Sequence, residues 1–178
     1  RWAVPDGVPF VEGNVSDESL VAKTIADHGI CAIMHFAGSV VVPESVEDPL
    51  KYYRNNTAAS RSLIESAIRG QVKHFIFSST AATYGIPDVS AVSEDTPQRP
   101  INPYGMSKLM TEYMLRDVAA AHDLNYCALR YFNVAGADAQ GRTGQSTAGA
   151  THLIKVAVEA ALGKRESVSV YGTDYDTD

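Results

Sequence analysis

A tyrosine and a lysine four residues apart, Tyr104 and Lys108, form the strongest chemical feature of the sequence. On a helix this spacing places both side chains on one face, one turn apart. A phenol is a poor base at neutral pH because its ordinary pKa is about 10, and a nearby lysine ammonium stabilises the phenolate. Such a pair can take a proton from a hydroxyl group while hydride leaves the same carbon. Alone it is weak evidence, since this spacing is common on helices.

Hydroxyl side chains end a predicted strand upstream of the pair, at Ser78, Ser79 and Thr80. A hydroxyl at the carboxyl end of a strand can hydrogen-bond the same substrate oxygen that the tyrosine deprotonates. The other interpretation is that these hydroxyls only cap the strand end. We favour the substrate role for Thr80 and the capping role for Ser78.

Alternating strand and helix patterns must position these residues. The patterns predict helices over residues 18–28, 49–70, 103–122 and 148–162, and strands over residues 10–15, 30–36, 74–79, 126–132 and 168–171. Residues 30–36 are expected to be buried on both faces of the sheet. This order predicts an α/β fold with a parallel sheet and helices on both sides. In such sheets ligands gather at the carboxyl ends of the strands.

Composition narrows the classes of function. The 178 residues are 45% hydrophobic and carry a net charge of −6, which argues against a nucleic-acid partner. No apolar run approaches the roughly 20 residues that cross a bilayer, and residues 1–7 do not look like a secretory signal. Cys31 and Cys127 lie in apolar strand-like runs, so buried free thiols are expected, with no disulfide and no metal site. A reducing, cytoplasmic location fits this pattern.

Seven segments stand out in order and in spacing. They are HFAG (35–38), NN (55–56), FSSTAATYG (77–85), NPYGMSK (102–108), LRYFNVAGA (129–137), THLI (151–154) and VYGTDYDT (170–177). Together they resemble the extended short-chain dehydrogenase/reductases, and THLI and VYGTDYDT resemble the hexose 4-epimerase branch of that family. The resemblance covers nearly the whole chain.

The resemblance implies a reaction and a Rossmann-like, doubly wound sheet. NAD would take hydride from C4 of a UDP-hexose, interconverting UDP-glucose and UDP-galactose through a 4-keto intermediate. Tyr104 would be the base and then the acid, and Thr80 would hydrogen-bond the sugar 4-oxygen. Lys108 would tune Tyr104 and hold the nicotinamide ribose. The hard chemistry would belong to the cofactor.

The same resemblance implies binding residues. Three of these residues also have a purely structural interpretation. Asn55 could be a buried amide, Phe132 a core aromatic, and His152 a surface or capping residue. The implied substrate-binding residues are Thr80, Tyr104, Asn133, His152, Leu153 and Tyr171. The implied cofactor-binding residues are Asn14, Val15, Phe36, Ala37, Gly38, Asn55, Ser78, Tyr104, Lys108 and Phe132.

The sequence also departs from the family pattern. Asn14 stands where the family usually has an aspartate near the adenine, and Val40 stands where it often has a lysine near the pyrophosphate. The glycine-rich phosphate loop that opens the family's fold does not occur. We therefore expect a fragment that lacks the first two strands and is inactive alone. Residues 1–147 would be a partial NAD-binding domain and residues 148–178 the beginning of a substrate-binding region.

Two other functions remain open. One is a related epimerase acting on a UDP-pentose, a UDP-uronate or a UDP-N-acetylhexosamine. The other is a non-catalytic protein of the same fold that binds nucleotide sugars. The resemblance also implies a homodimer that pairs through the helices at residues 49–70 and 103–122.

Overall fold

The computed structural model describes residues 4–147 and 149–174. Internal contacts divide the chain into two units. One comprises residues 9–132, and the other comprises the described residues of 4–8 and 133–174. The division expected at residue 147 remains a prediction about the domains.

The first unit contains three parallel strands in the order β1-β2-β3. They are β1 (Ala32–His35), β2 (His74–Thr80) and β3 (Asn125–Tyr131), with Ile33 opposite Phe75 and Thr80 opposite Tyr131. Its helices are α1 (Glu18–His28), α2 (Val42–Glu47), α3 (Pro49–Tyr52), α4 (Ala59–Arg69) and α5 (Pro103–Ala121). The parallel sheet and its crossover helices confirm the predicted α/β class.

Capping residues explain why α1 has the predicted bounds. The Asp17 side chain accepts a hydrogen bond from the Leu20 N–H at 3.0 Å, which satisfies one free donor of the first turn. Gly29 ends the helix in the left-handed region, at φ 59°, where a side chain would be unfavourable. The helix predicted over residues 18–28 is therefore confirmed.

The helix predicted over residues 49–70 contains an irregularity that the pattern did not predict. A π-helical turn, Tyr53–Ala58, separates α3 from α4. Such a turn admits one extra residue and changes which side chains face inward, and it often occurs at functional sites. Both asparagines of the NN pair, Asn55 and Asn56, lie in this turn.

The core of the first unit lies between the sheet and the helices α1, α4 and α5. Phe75 and Phe77 of β2 are essentially fully buried, as is Leu115 of α5. The residues buried with them are Ile25, Leu63, Ile64, Ala67, Val72 and Leu124. Burial of this apolar surface fixes α5 against β2, because it is the main favourable contribution to folding.

The opposite side of the sheet is more open than expected. Met34, Ile76 and Cys127 are neighbours in register, and Met34 is 62% exposed. The prediction that residues 30–36 are buried on both faces is therefore wrong. Cys31 and Cys127 are free, as predicted, but exposed rather than buried. Met34 and Cys127 are thus both exposed on the same side of the sheet, with Ile76 between them.

Two predicted strands are wrong. Residues 10–15 form loop and turn. There the Asn14 side chain accepts hydrogen bonds from the N–H and the hydroxyl of Ser16, and such a local turn competes with an extended strand. Residues 168–171 are irregular as well. The described part of the second unit offers only an isolated bridge between Ala137 and Gly144, and no strand with which to pair.

The helix of the second unit is shorter than predicted. We number it α6, and it spans Leu153–Ala161, whereas the pattern predicted residues 148–162. Residue 148 lies outside the described residues. Residues 149–152 form a turn and irregular structure before the helix begins.

Candidate active site

The beginning of α5 is held against the end of β2. The Asn102 side chain accepts a hydrogen bond from the Gly105 N–H at 2.8 Å, and Pro103 occupies the first turn. A Cβ at Gly105 would lie 2.6 Å from the Ala82 carbonyl oxygen, so only glycine permits this approach. Tyr104 therefore begins its helix beside the 3₁₀ turn Ala81–Thr83 that follows β2.

Lys108 is buried where the sequence predicted a functional amine. The side chain is 3% exposed, and its Nζ donates a hydrogen bond to the Ser78 carbonyl oxygen at 2.9 Å. The ammonium also lies 4.9 Å from the centre of the Phe77 ring. Burial disfavours the charged form and lowers the pKa of Lys108 from 10.5 to about 8. The amine is thus ready to change charge close to physiological pH.

The three hydroxyl residues at the end of β2 have different roles. Ser78 presents its carbonyl oxygen to Lys108, while the Ser79 hydroxyl donates to the buried carboxylate of Glu112. The Thr80 hydroxyl oxygen accepts from the Ala82 N–H at 3.1 Å. The hydroxyl hydrogen of Thr80 is donated to no group within residues 4–147 and 149–174. Thr80 therefore caps the strand end and still has a donor for a ligand oxygen.

Tyr104 packs against a second tyrosine that sequence reasoning missed. The rings of Tyr52 and Tyr104 meet edge-on, with centres 6.3 Å apart. Tyr52 is fully buried, and its hydroxyl lies 2.6 Å from the Val41 carbonyl oxygen and 2.8 Å from a Glu44 carboxylate oxygen. Burial, with the Glu44 contact, raises the pKa of Tyr52 to about 12, so this phenol stays neutral. The Tyr104 hydroxyl makes no hydrogen bond to any described residue and is free to bind a ligand.

Asn56, the neighbour of the predicted cofactor contact Asn55, connects the loop after β1 to α5. Its amide accepts from the Ser39 N–H at 2.8 Å and donates to the Ser39 carbonyl oxygen at 3.0 Å. It also donates at 3.0 Å to the hydroxyl of Ser107, which in turn donates to the Tyr104 carbonyl oxygen at 2.7 Å. The NN pair was the available signal, but only the π turn determines which asparagine points inward.

An ion pair fixes the other side of α5. Arg130 of β3 donates to Glu112 at 2.8 Å, and the Glu112 side chain is 6% exposed. Arg130 also donates to the Tyr84 hydroxyl at 2.8 Å. Glu112 lies one helical turn after Lys108, so this pair ties the Tyr104–Lys108 helix to both neighbouring strands. Nothing in the local sequence pattern identifies it, because the partners are 18 residues apart.

A cavity of about 560 Å³ in the first unit gathers five of the predicted cofactor-binding residues. Gly38 is one of the lining residues, and a Cβ there would lie 2.9 Å from the Asn56 amide oxygen, so a side chain would displace Asn56. Phe36 and Phe132 lie outside its lining and are 54% and 72% exposed. The predicted residues that line it are Asn14, Val15, Ala37, Gly38 and Asn55. A polar cavity with a bare backbone in its lining fits a nucleotide.

A second cavity, of about 580 Å³, lies within the second unit. It is lined by Asn133, His152 and Leu153, three of the predicted substrate-binding residues. The His152 ring is hydrogen-bonded to the Gln145 amide at 2.8 Å. Tyr171, 96% exposed, is not part of this lining.

Neither a metal centre nor a membrane span was found within the described ranges. No group of three or more histidine, cysteine, aspartate or glutamate side chains there could hold a metal ion. No helix there is long and apolar enough to cross a membrane.

Comparison with known proteins gives a consistent result. The chain is 58% identical to the UDP-glucose 4-epimerase of Azospirillum brasilense over 177 residues, covering 99% of this chain and 51% of the relative. It resembles a crystal structure of UDP-glucose 4-epimerase from Brucella ovis in complex with NAD, with a TM-score of 0.89 and 46% identity, covering 94% of this chain and 52% of that one. It also resembles the UDP-Glc/GlcNAc 4-epimerase of Campylobacter jejuni, with a TM-score of 0.78 and 50% identity, covering 97% and 53%.

The chain thus spans about half the length of the curated relatives it matches. The family model of NAD dependent epimerases and dehydratases matches residues 1–176. These agreements confirm the resemblance found in the sequence: the chain belongs to the NAD dependent epimerase/dehydratase family.

Proposed function

We propose that the intact protein interconverts UDP-glucose and UDP-galactose by inverting C4 of the hexose. The proposal rests on one observation: two hydroxyls that donate to no described residue, those of Tyr104 and Thr80, occur together with the buried amine of Lys108. The Tyr104 hydroxyl and the Thr80 hydroxyl hydrogen are free of partners among the described residues. Thr80 caps the Ala81–Thr83 turn, and Gly105, the residue after Tyr104, packs closely against Ala82 of that turn. Lys108 lies one helical turn from Tyr104 and is 3% exposed. Relatives named UDP-glucose 4-epimerase support the choice of substrate.

Each of these residues has a defined task in the proposed reaction. Tyr104 takes the proton of the sugar 4-hydroxyl as the carbon is oxidised, and returns it when the carbon is reduced on its other face. Thr80 donates a hydrogen bond to the same oxygen and keeps it in place. Lys108, one helical turn from Tyr104, would supply a positive charge that assists this proton transfer and would hold the nicotinamide ribose. NAD, when bound, supplies reversible acceptance of hydride from C4.

The cofactor would be held by residues of the first unit. The cavity that Asn14, Ala37 and Gly38 line is polar, and Gly38 lets a ligand approach the backbone after β1. The Asn14 amide can pair with an adenine edge in place of the family's usual carboxylate. The remaining predicted contacts, at Val15, Phe36, Asn55, Ser78 and Phe132, are part of the same proposal.

The nucleotide sugar would be held in part by the second unit. Asn133, His152 and Leu153 line its cavity of about 580 Å³, which is large enough for part of a UDP-sugar. Tyr171 would add a contact on the uridine side. The Campylobacter jejuni relative is named for both glucose and N-acetylglucosamine substrates, so a UDP-N-acetylhexosamine is the second candidate substrate.

Product analysis tests the function directly. The intact protein, supplied with NAD and UDP-galactose, is expected to form UDP-glucose until equilibrium, as measured by proton NMR of the anomeric signals. UDP-N-acetylgalactosamine, UDP-arabinopyranose and UDP-galacturonate, offered separately, rank the alternative substrates. Binding of these nucleotide sugars without formation of any epimer would overturn the enzymatic proposal in favour of a non-catalytic binding protein.

Two further features belong to the proposal. The groove between α4 and α5 is lined by Ile64, Ile68, Met114 and Val118, which suits a homodimer that pairs through two helices of each copy. The free thiols of Cys31 and Cys127 suit a reducing cytoplasm.

A further inference from the structure

The π-helical turn places an arginine in the cavity of the first unit. Arg54, Ala58 and Ser62 lie at intervals of four residues and all line this cavity, beside Asn55 and Ala59. The alanine and serine side chains are small, so they fill little of the space along this side of the cavity. No sequence motif had singled out Arg54.

The cavity has a net positive lining. Among its lining residues, from Gly13 to Ser62, Arg54 is charged and no aspartate or glutamate occurs. Arg54 forms no ion pair within the described residues, whereas the other two arginines of the same helical segment are paired. Arg61 pairs with Glu65, and Arg69 pairs with Glu18 and Glu65. An unpaired arginine in the lining of a polar cavity suits an anionic ligand.

The loop after β1 supplies no charge to bind an anion. Residues 36–41 contain no charged side chain. The Ser39 N–H already donates to the Asn56 amide, and the Asn55 amide donates to the Ser39 hydroxyl at 3.2 Å. A dinucleotide in this cavity carries two phosphate charges, and within the lining Arg54 is the side chain that offers a positive charge.

We propose that Arg54 binds a phosphate of the dinucleotide, supplying from the π turn a positive charge that the loop after β1 lacks. The inference rests on the proposed use of this cavity for NAD. A guanidinium suits the task because its planar N–H groups can donate two parallel hydrogen bonds to phosphate oxygens. Arg54 is thus a cofactor-binding residue.

Binding measurements with three nucleotides separate a phosphate contact from an effect on cavity shape. The intact protein, freed of nucleotide, is titrated by calorimetry with NAD, ADP-ribose and adenosine. Arg54→Gln is expected to weaken NAD and ADP-ribose binding by about 10- to 100-fold, the loss typical of a charge-assisted hydrogen bond. Adenosine, which has no phosphate, is expected to bind Arg54→Gln as well as the unchanged protein. The salt dependence of NAD binding should become shallower as well.

Two variants serve as controls. Arg61→Gln, which removes an arginine from the same helical segment outside the cavity, should leave all three affinities unchanged. Adding Val40→Lys to Arg54→Gln should restore much of the lost NAD affinity. NAD affinity within twofold of normal in Arg54→Gln, or an equal loss for adenosine, would overturn the proposal.

The enzymatic proposal and the Arg54 inference can fail independently, and the measurements distinguish the two failures. If the unchanged protein binds NAD through Arg54 but epimerises no UDP-sugar, the Arg54 inference stands and the enzymatic proposal fails. If the unchanged protein binds ADP-ribose no more tightly than adenosine, the Arg54 inference is wrong whatever the activity.

Discussion

Tyr104→Phe is expected to lower turnover by about 10³-fold, within the range typical of a lost general acid–base group. The change removes one oxygen atom, and the ring can still pack edge-on against Tyr52, 6.3 Å away. The Tyr104 hydroxyl makes no hydrogen bond within the described residues, so its removal should cost little stability. Affinities for NAD and UDP should stay within a few-fold of normal. Steady-state kinetics and calorimetry on the intact protein measure both.

The matched control is Tyr113→Phe, the same substitution further along α5. Tyr113 is 42% exposed and packs against Arg116, so its change should leave turnover intact. Turnover of Tyr104→Phe within about threefold of normal would remove Tyr104 from the role of base.

Lys108→Met should abolish most activity and yet stabilise the fold near neutral pH. Burial lowers the pKa of Lys108 to about 8 from 10.5, which corresponds to about 3 kcal/mol of cost for holding the charged amine. Methionine fills a similar volume without a charge. The lost hydrogen bond to Ser78 and the lost contact with Phe77 offset part of the gain, each by about 1 kcal/mol. A small net gain in the free energy of unfolding is expected at pH 7.

The gain should vanish as pH rises. Below pH 8 the amine is protonated in both the folded and the unfolded protein, so the folded state bears the full cost. Between pH 8 and pH 10.5 the unfolded state binds more protons, and the contribution of Lys108 to stability therefore rises with pH. Above pH 10.5 the amine is neutral in both states and the cost is gone.

Urea denaturation of Lys108→Met and of the unchanged protein, each at pH 7 and pH 10, measures how the stability difference depends on pH. The advantage of Lys108→Met over the unchanged protein should be larger at pH 7 than at pH 10. Lys73→Met is the control, because Lys73 is exposed and pairs with Asp123 at the surface, so its stability difference should not follow the same trend. If the difference in the free energy of unfolding between Lys108→Met and the unchanged protein were the same at pH 7 and pH 10, burial would not be what disfavours the charged amine.

Local signals predicted the parts of the fold that local interactions determine. Asp17 and Gly29 set the bounds of α1, and Pro103 marked the beginning of α5. The spacing of Tyr104 and Lys108 and the hydroxyls that end β2 indicated a candidate site, which the family resemblance then supported. Each of these features depends on residues within one turn or one strand of each other.

Features that depend on distant partners were missed. Whether Cys127 is buried depends on which elements lie beside the sheet, and periodicity does not encode that. That Asn56 hydrogen-bonds to both Ser39 and Ser107 depends on the π turn, which shifts the helix phase. The Glu112–Arg130 pair joins a helix to a strand across 18 residues, beyond any local pattern.

Deuterium placed at C4 of UDP-glucose gives the most direct measurement of the proposed chemistry. The intact protein should convert this substrate to UDP-galactose that keeps its deuterium at C4, because the atom leaves as hydride and returns to the same carbon. Mass spectrometry and NMR of the product locate the label. Galactose with ordinary hydrogen at C4, acquired from water, would show that the carbon loses a proton instead, and would contradict the roles given to Tyr104 and Lys108.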